Sequence, residues 1–537
     1  MSTASLQNST AAGEKKSQAR SLTIATAIMM GSVLLSRVAG LIREQVLAGF
    51  GGTSYQMDAY VTAFLIPELL NHFLAGGFLS VTFIPIFQQY LIRGQRDQAW
   101  RSFSNLLSVG SALFAVFIPL AIIFTPSILG LMGKHISDPA HLSLTVRLTR
   151  IILPAQLFFY WGAFFSAVQM AEHRFFLPAM APLCYNLGII LGGLFLGPIM
   201  GIEGFAWGVL IGAFAGNVAI QIPGAMKSGM KFHFRFNFSD PDLIKYVKLT
   251  LPLVLGLGMT FSNEIFFRFF GSFLSEGATS SINYALRTTM IVVAVFGQAS
   301  GMAFYPFITK MAAEQQFGKM TEMLNSVLTK IAIYLIPISI FMLLLSEQII
   351  SILFERGKFD HQSTLETASV FSIYLIGAFA FSASMIVSRS FYATQNTIVP
   401  LIITTTTSIL SIPLYIAFSK EMGPQGIAAA AILGMTAQFL VLYGLWCRKY
   451  GQAGPAVKLA LSIVKITLIC CAVAIPVYLL KNRIPVLFAG NILFQNLFTC
   501  TAVTLPSMFL VFVLYEATGI QRFADSLKGF LRKRKRS

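Results

Sequence analysis

Charged side chains are scarce in this 537-residue chain, at 11% of the total, and acidic ones are the scarcer part, with 21 Asp and Glu against 39 Lys and Arg. A soluble domain carries about 25% charged residues, so a soluble globular protein is excluded. Cysteine is sparse too. Cys184, Cys447, Cys470, Cys471 and Cys500 lie in or beside apolar runs. None has the paired spacing of a zinc site or a disulfide framework, so they read as small buried hydrophobes. No glycine loop suited to nucleotide phosphates is present, since neither Gly133-Lys134 nor Gly357-Lys358 is followed by Ser or Thr. ATP hydrolysis is not expected. Nor is a cleavable leader: the first apolar stretch carries Arg37 and Arg43 in place of a small-residue cleavage site. His135 and His141 share one loop without metal-ligand spacing, so no metal is expected. The one Asp pair, Asp240 and Asp242, follows Ser239 and brackets Pro241, a helix start rather than a catalytic group. That reading weighs against a membrane glycosyltransferase or acyltransferase.

What is abundant is apolar length. Hydrophobic residues make up 55% of the chain, and runs of about 20, each enough to cross the hydrocarbon core as a helix, recur from Leu22 to Glu516. They predict about fourteen spans, near 22–49, 57–91, 102–132, 142–171, 176–199, 203–226, 241–273, 278–311, 324–354, 365–392, 397–418, 425–447, 457–480 and 492–516. Pro67, Pro85, Pro154, Pro252 and Pro306 are candidate bends. The net charge of +18 raises the question of nucleic acid, but Lys and Arg concentrate in alternate loops. One set holds Arg93, Arg96 and Arg101, then Lys227, Lys231 and Arg235, then Arg448 and Lys449; the opposite set holds only Lys134, Arg356, Lys358, Lys420, Lys481 and Arg483. The positive-inside rule then places both termini in the cytoplasm. The tail 517–537 is read as facing anionic lipid, not nucleic acid.

The chain also repeats itself. Ala171 to Pro178 can be laid on Ala393 to Pro400, and Gly201 to Gly204 on Gly423 to Gly426, both at an offset of 222 residues; Phe83 to Phe87 falls on Phe304 to Ile308 at an offset of 221. The expected architecture is an all-α polytopic membrane protein. A cytoplasmic segment (1–21) precedes two six-helix lobes (22–226 and 241–447) around a central cavity, followed by a C-terminal helix pair (457–516) and the basic tail. Each repeat has an even number of spans, so the lobes share one orientation, the parallel-repeat plan of some transporters.

Charges inside spans point to function, because an ionised side chain at the bilayer centre costs about 2.5–3.5 kcal/mol unless it meets a partner or a wet cavity. Arg37 and Arg43 lie inside the first span and Arg287 inside the eighth. Guanidinium groups of this kind suit phosphate oxygens, which they grip in bidentate fashion. Glu44 and Asp58 are placed to balance that charge or to couple transport to a cation. Glu264 and Arg268, four apart, can pair on one helix face. Asn71 and His72 are candidate cavity-lining residues, with a packing role equally open for His72. Ala75, Gly76, Gly77, Gly192 and Gly193 would allow close helix contact.

At Ser36-Arg37-Val-Ala-Gly40-Leu-Ile-Arg43-Glu44, Met57-Asp58-Ala-Tyr60 and Ile66-Pro67-Glu-Leu-Leu70 the sequence resembles the MurJ/MviN family of lipid II flippases. Leu353 to Asp360, Arg389 to Thr397 and Pro400 agree, and the resemblance covers essentially the whole chain. It implies the fold of the multidrug/oligosaccharidyl-lipid/polysaccharide exporters, with the last helix pair forming a groove for the lipid tail. By motif, the family's functional residues fall on Arg37, Arg43, Asp58 and Arg287. The chain departs from the family pattern at Asn71 and His72, where two arginines are usual, at Gly76, where a Glu is usual, and at Leu286 and Met290, where acidic residues flank the arginine.

The function expected is translocation of lipid II, an undecaprenyl-diphosphate-linked disaccharide-peptide, from the cytoplasmic to the periplasmic leaflet of the bacterial inner membrane by alternating access. No enzyme activity and no cofactor are expected beyond a coupling cation of unstated identity. The partners expected are lipid II, membrane lipids and cell-wall synthesis proteins, with the chain working as a monomer. The competing readings are export of another polyprenyl-diphosphate glycan and a multidrug/cation antiporter of the same superfamily.

Overall fold

In hydrocarbon every backbone N–H and C=O must be satisfied within the chain, which leaves helix as the economical solution for a sequence of long apolar runs. The computed structural model describes residues 31–32, 35–74, 79–132, 138–258, 262–450, 453–481 and 492–520. Its only strand-like pairing among these is an isolated bridge between Arg356 and Phe359. Ten helices among the described residues are long and apolar enough to cross a bilayer, and a bent pair, His361–Ile376 with Ala378–Ala393 at 45°, makes an eleventh if taken as one span. The other three expected spans, 22–49, 57–91 and 241–273, each run across residues outside the described set. So do segment 1–21 and residues 521–537 of the tail.

Cα packing divides the chain into two compact units, Met1–Gly258 and Met259–Ser537. The first contains α1 (35–51), α2 (Tyr55–Ala63), α3 (Leu65–Leu74), α4 (Leu79–Ile92), α5 (Arg96–Leu129), α6 (Pro139–Ile152), α7 (Ala155–Ala171), α8 (Phe176–Met200), α9 (Glu203–Lys227) and α10 (Pro241–Gly258). Helix α10, assigned from sequence to the second lobe, packs against α3, α4 and α5 of the first unit. It begins where the capping signal placed it, with Asp240 Oδ1 accepting the Asp242 backbone N–H at 2.9 Å. Pro154 sits at the break where α6 gives way to α7.

The close approach expected at Gly192 and Gly193 is present and extends further. Helices α8 and α9 meet through glycines: a Cβ on Gly188 would lie 2.3 Å from the Gly212 Cα, and one on Gly192 would lie 2.5 Å from the Gly208 Cα. Only hydrogen at these positions lets the two backbones touch, the way membrane helices gain packing without a hydrophobic driving force. Both helices also contain a five-residue π-helical stretch, Gly192–Leu196 and Ala215–Ala219, for which the sequence carries no signal.

The second unit contains α11 (Ser262–Gly271), α12 (Ala278–Ala313), α13 (Phe317–Leu344), α14 (Ser346–Phe354), α15 (His361–Ile376), α16 (Ala378–Ala393), α17 (Ile398–Met422), α18 (Pro424–Tyr450), α19 (Ala453–Lys481) and α20 (Ile492–Ala517). Its terminal pair packs on α13: Ala332, Ile333, Ile336 and Phe341 are buried with Ile466, Cys470, Val473, Val511 and Tyr515. Cys470 is buried as expected, whereas Cys471, one position round the same helix, is exposed.

The internal repeat is written in the backbone. Among the described residues, three non-glycine residues have positive φ, His173 (60°), Gln315 (56°) and Gln395 (59°), and Gly94, Gly201 and Gly423 adopt the same sign at 72°, 64° and 59°. His173 and Gln395 are 222 positions apart, as are Gly201 and Gly423, and Gly94 precedes Gln315 by 221. Such residues cost energy away from glycine, so their recurrence at the sequence offset marks equivalent helix ends. The hydrogen bonds repeat with them. Arg174 N–H reaches back to the Gln169 carbonyl, as Asn396 N–H does to Phe391.

Candidate functional site

Arg43 lies on α1 with its charge partner beside it. One terminal nitrogen, Nη2, donates to Glu44 Oε1 at 2.5 Å, and the other, Nη1, donates to Asn186 Oδ1 of α8 at 3.1 Å. Asn186 in turn donates through Nδ2 to the Ser36 carbonyl (3.2 Å) and hydroxyl (3.4 Å). Ser36 and Arg43 are seven apart, two turns along one stripe of a helix. A single amide therefore clasps both ends of that stripe. Glu44 is buried, and the pair presents far less net charge to the membrane interior than a lone guanidinium would. Arg37, one residue round from Ser36, is exposed, and Asp58 in the first turn of α2 is buried at 4% exposure. Asn71 and His72 are half-buried near the end of α3, while Gly76 lies outside the described residues.

The second cluster belongs to the other unit. Glu264 on α11 extends one carboxylate oxygen to Arg268 Nη2 on its own helix at 3.7 Å and the other to Arg287 Nη1 on α12 at 3.5 Å. The pairing with Arg268 is the one that the four-residue spacing anticipated. The bridge to Arg287 is not legible in sequence, and it bears on the departures at Leu286 and Met290: charge opposite Arg287 comes from the neighbouring helix. Leu286 and Met290 instead line a small apolar pocket with Thr289, Tyr374, Gly377 and Met435. The two arginines differ in access, Arg268 being 2% exposed at its side chain and Arg287 35%. Arg268 is sealed, further held over the Phe267 ring at 5.2 Å. Arg287 is half-buried.

The start of α12 is positioned by aromatic packing. Tyr284, one turn before Arg287, is fully buried with ring centroids 5.1 Å from Phe354 and 5.5 Å from Phe359. Those two phenylalanines flank a tight turn at Glu355–Lys358 in which Gly357 takes φ of 60°. The next residue, Asp360, accepts the Ser363 N–H at 2.8 Å and caps α15, and that hydrogen bond holds its carboxyl below the usual Asp range. The stretch Leu353 to Asp360 is thus a structural clamp that fixes the helix carrying Arg287. Sequence reasoning missed Asn186 as well, although an amide in the apolar run Phe176–Leu191 was a signal.

A family model described as Lipid II flippase MurJ matches residues 47–514. The chain belongs to this family. Arg37, Arg43 and Glu44 precede the matched stretch, whereas Asp58, Glu264 and Arg287 fall within it. A relative described as a probable lipid II flippase MurJ from Buchnera aphidicola subsp. Baizongia pistaciae is 26% identical over 417 residues, covering 77% of this chain and 81% of that one. One of the same description from Thermotoga maritima is 28% identical over 412 residues, covering 76% and 82%. Among solved structures, a lipid II flippase MurJ in an inward closed conformation superposes with a TM-score of 0.76 at 23% identity, covering 92% of this chain and all of that one. An inward-facing multidrug resistance MATE family transporter of the MOP superfamily follows this fold with a TM-score of 0.63 at 15% identity, covering 80% and 95%. The fold is thus the exporter fold that the sequence resemblance implied. The chain is a multi-pass membrane protein.

Proposed function

We propose that this chain flips lipid II from the cytoplasmic to the periplasmic leaflet of the bacterial inner membrane by alternating access. The observation that carries the reading is the family match over residues 47–514. The arginine clusters give it a chemistry. Arg37, Arg43 and Arg287 bind the diphosphate, each guanidinium offering paired N–H donors to phosphate oxygens. In the absence of substrate, Glu44 holds Arg43 and Glu264 holds Arg287. The diphosphate then competes with carboxylates already in place, so neither arginine is left unpaired before binding or after release.

Both termini are cytoplasmic in this reading, the chain acts as a monomer beside cell-wall synthesis proteins, and α19 and α20 accompany the lipid tail. Asp58 balances charge or couples transport to a cation gradient. Either that gradient or the membrane potential supplies the drive, about 2.3 kcal/mol per charge moved through 100 mV. The test is exposure of the lipid II headgroup at the periplasmic face of cells depleted of this protein. Headgroup should accumulate on the cytoplasmic side, and the wild-type chain should restore periplasmic exposure while Arg43→Ala and Arg287→Ala should not. Unchanged headgroup distribution on depletion would remove lipid II as the substrate.

A further inference from the structure

The connection between α9 and α10 carries a pattern that the transport reading does not use. From Lys231 it runs Lys-Phe-His-Phe-Arg-Phe-Asn-Phe to Phe238, phenylalanine at every even position and a basic or polar residue at every odd one. A period of two is the period of an extended chain, in which alternate side chains point to opposite faces. Residues 231–237 belong to no helix or sheet, and Phe238 opens a turn.

Helix α5 holds it in place. His233 N–H donates to Ser104 Oγ (3.2 Å), Arg235 N–H to Ser108 Oγ (3.3 Å) and Asn237 N–H to Asn105 Oδ1 (2.8 Å), while Asn105 Nδ2 returns a bond to the Asn237 carbonyl (2.9 Å). Ser104, Asn105 and Ser108 are buried, so these polar groups on α5 find their partners in the segment. The odd-numbered backbone amides thus fix one edge of the segment to the protein. The phenylalanines stand off on one face. Phe234, Phe236 and Phe238 are 83%, 55% and 70% exposed, and the Phe232 and Phe234 rings pack edge to face at 5.0 Å.

Four phenyl groups within seven residues, held in a row and uncovered by the protein, form an apolar patch that water does not tolerate cheaply. We infer that the segment 231–238 is an amphipathic strand lying on the membrane surface, its phenylalanine face in the acyl region and its basic face among anionic headgroups. Two observations select a lipid surface over a protein partner. The segment begins four residues after a membrane-spanning helix ends at Lys227, so it lies at the membrane–water boundary. No Asp or Glu lies between residues 227 and 239; Lys231 is paired with Asp97 of α5 at 2.9 Å, so the positive charge that matches anionic lipids rests on Lys227 and Arg235, which make no ion pair among the described residues.

The test uses the full-length chain with its native cysteines replaced, carrying single substitutions Phe234→Cys, Phe236→Cys, Phe238→Cys or His233→Cys, each bearing a nitroxide. The protein is reconstituted in vesicles of phosphatidylethanolamine and phosphatidylglycerol, with Leu505→Cys, exposed on α20, as the reference for lipid contact. Labels at 234, 236 and 238 should be more accessible to oxygen than to a water-soluble nickel chelate, and the label at 233 should show the reverse. Free access of the chelate to the even positions would place the row in water and overturn the inference. Exclusion of both reagents would mean that protein covers the row, and would overturn it equally. In vesicles of phosphatidylcholine alone the even positions should lie shallower, and unchanged depth would refute the role of anionic headgroups.

Discussion

Glu264 is the residue whose removal gives the sharpest test of how charge is held in the second unit. Removing one partner of a buried ion pair costs about 3–5 kcal/mol, because the other charge is stranded. Here the contact with Arg268 is 3.7 Å, longer than the roughly 2.8 Å of a good charge-assisted bond, and Glu264 is 28% exposed. Both features lower the cost, so Glu264→Gln is expected to lose about 2 kcal/mol of stability, read as a fall in thermal unfolding midpoint of the purified protein in detergent. The companion is Glu264→Gln with Arg268→Met, which removes both buried charges at similar volume. It should recover at least about half of the loss, as replacing a whole buried pair by apolar groups generally does. Transport should separate from stability in this series. Arg287 remains in the double variant with no carboxylate bridge, so diphosphate release should slow and flipping should stay impaired after stability has returned. A double variant no more stable than the single one would refute the shared-carboxylate account, and normal flipping by it would refute the role of Glu264 as the resident partner of Arg287.

Three further outcomes follow from particular contacts. Asn186→Leu removes the acceptor of Arg43 and the donor to Ser36, a loss of about 2 kcal/mol for bonds of which one involves a charge; complementation of a flippase-depleted strain should weaken, and Asn186→Asp, which keeps the acceptor, should retain more growth than Leu. Gly208→Val would bring a Cβ to 2.6 Å from the Gly188 carbonyl oxygen, so an overpacking cost of at least about 1–3 kcal/mol is expected. By contrast Gly318→Ala, where nothing lies within 4 Å, should stabilise by about 0.4–1 kcal/mol; thermal unfolding of the two variants checks both signs. Asp360→Ala should cost about 1 kcal/mol as a lost helix cap. Because the folded-state pKa of Asp360 is depressed by its bond to Ser363, the ionised cap's contribution is fully present above the ordinary Asp value of about 3.9. It fades as pH falls through the lower folded value, so the gap between wild type and Asp360→Ala, followed by thermal unfolding, should narrow only in acid.

Much of this molecule was legible as one-dimensional pattern. Apolar runs of membrane length and the 222-residue offset between Ala171–Pro178 and Ala393–Pro400 each depend on composition or local spacing, and these survive into the fold as spans and as recurring left-handed helix ends at His173 and Gln395. The Asp240 cap and the Glu264–Arg268 pair are local as well, within four residues, which is why spacing alone anticipated them.

Tertiary structure decided the remainder. That Asn186 clasps Arg43 across 143 residues of chain, that Glu264 reaches Arg287 on the next helix, and that the turn around Gly357 clamps Tyr284 are facts about distances between segments remote in sequence. Periodicity states which face of a helix is apolar but not which other helix it meets. The assignment of α10 shows the same limit: its composition fits either lobe, and only packing against α3, α4 and α5 places it in the first unit. The sequence by itself thus determined the solvent this chain inhabits and the residue types that carry its charge; the packing of helices determined which of those charges are paired, sealed or left partly exposed.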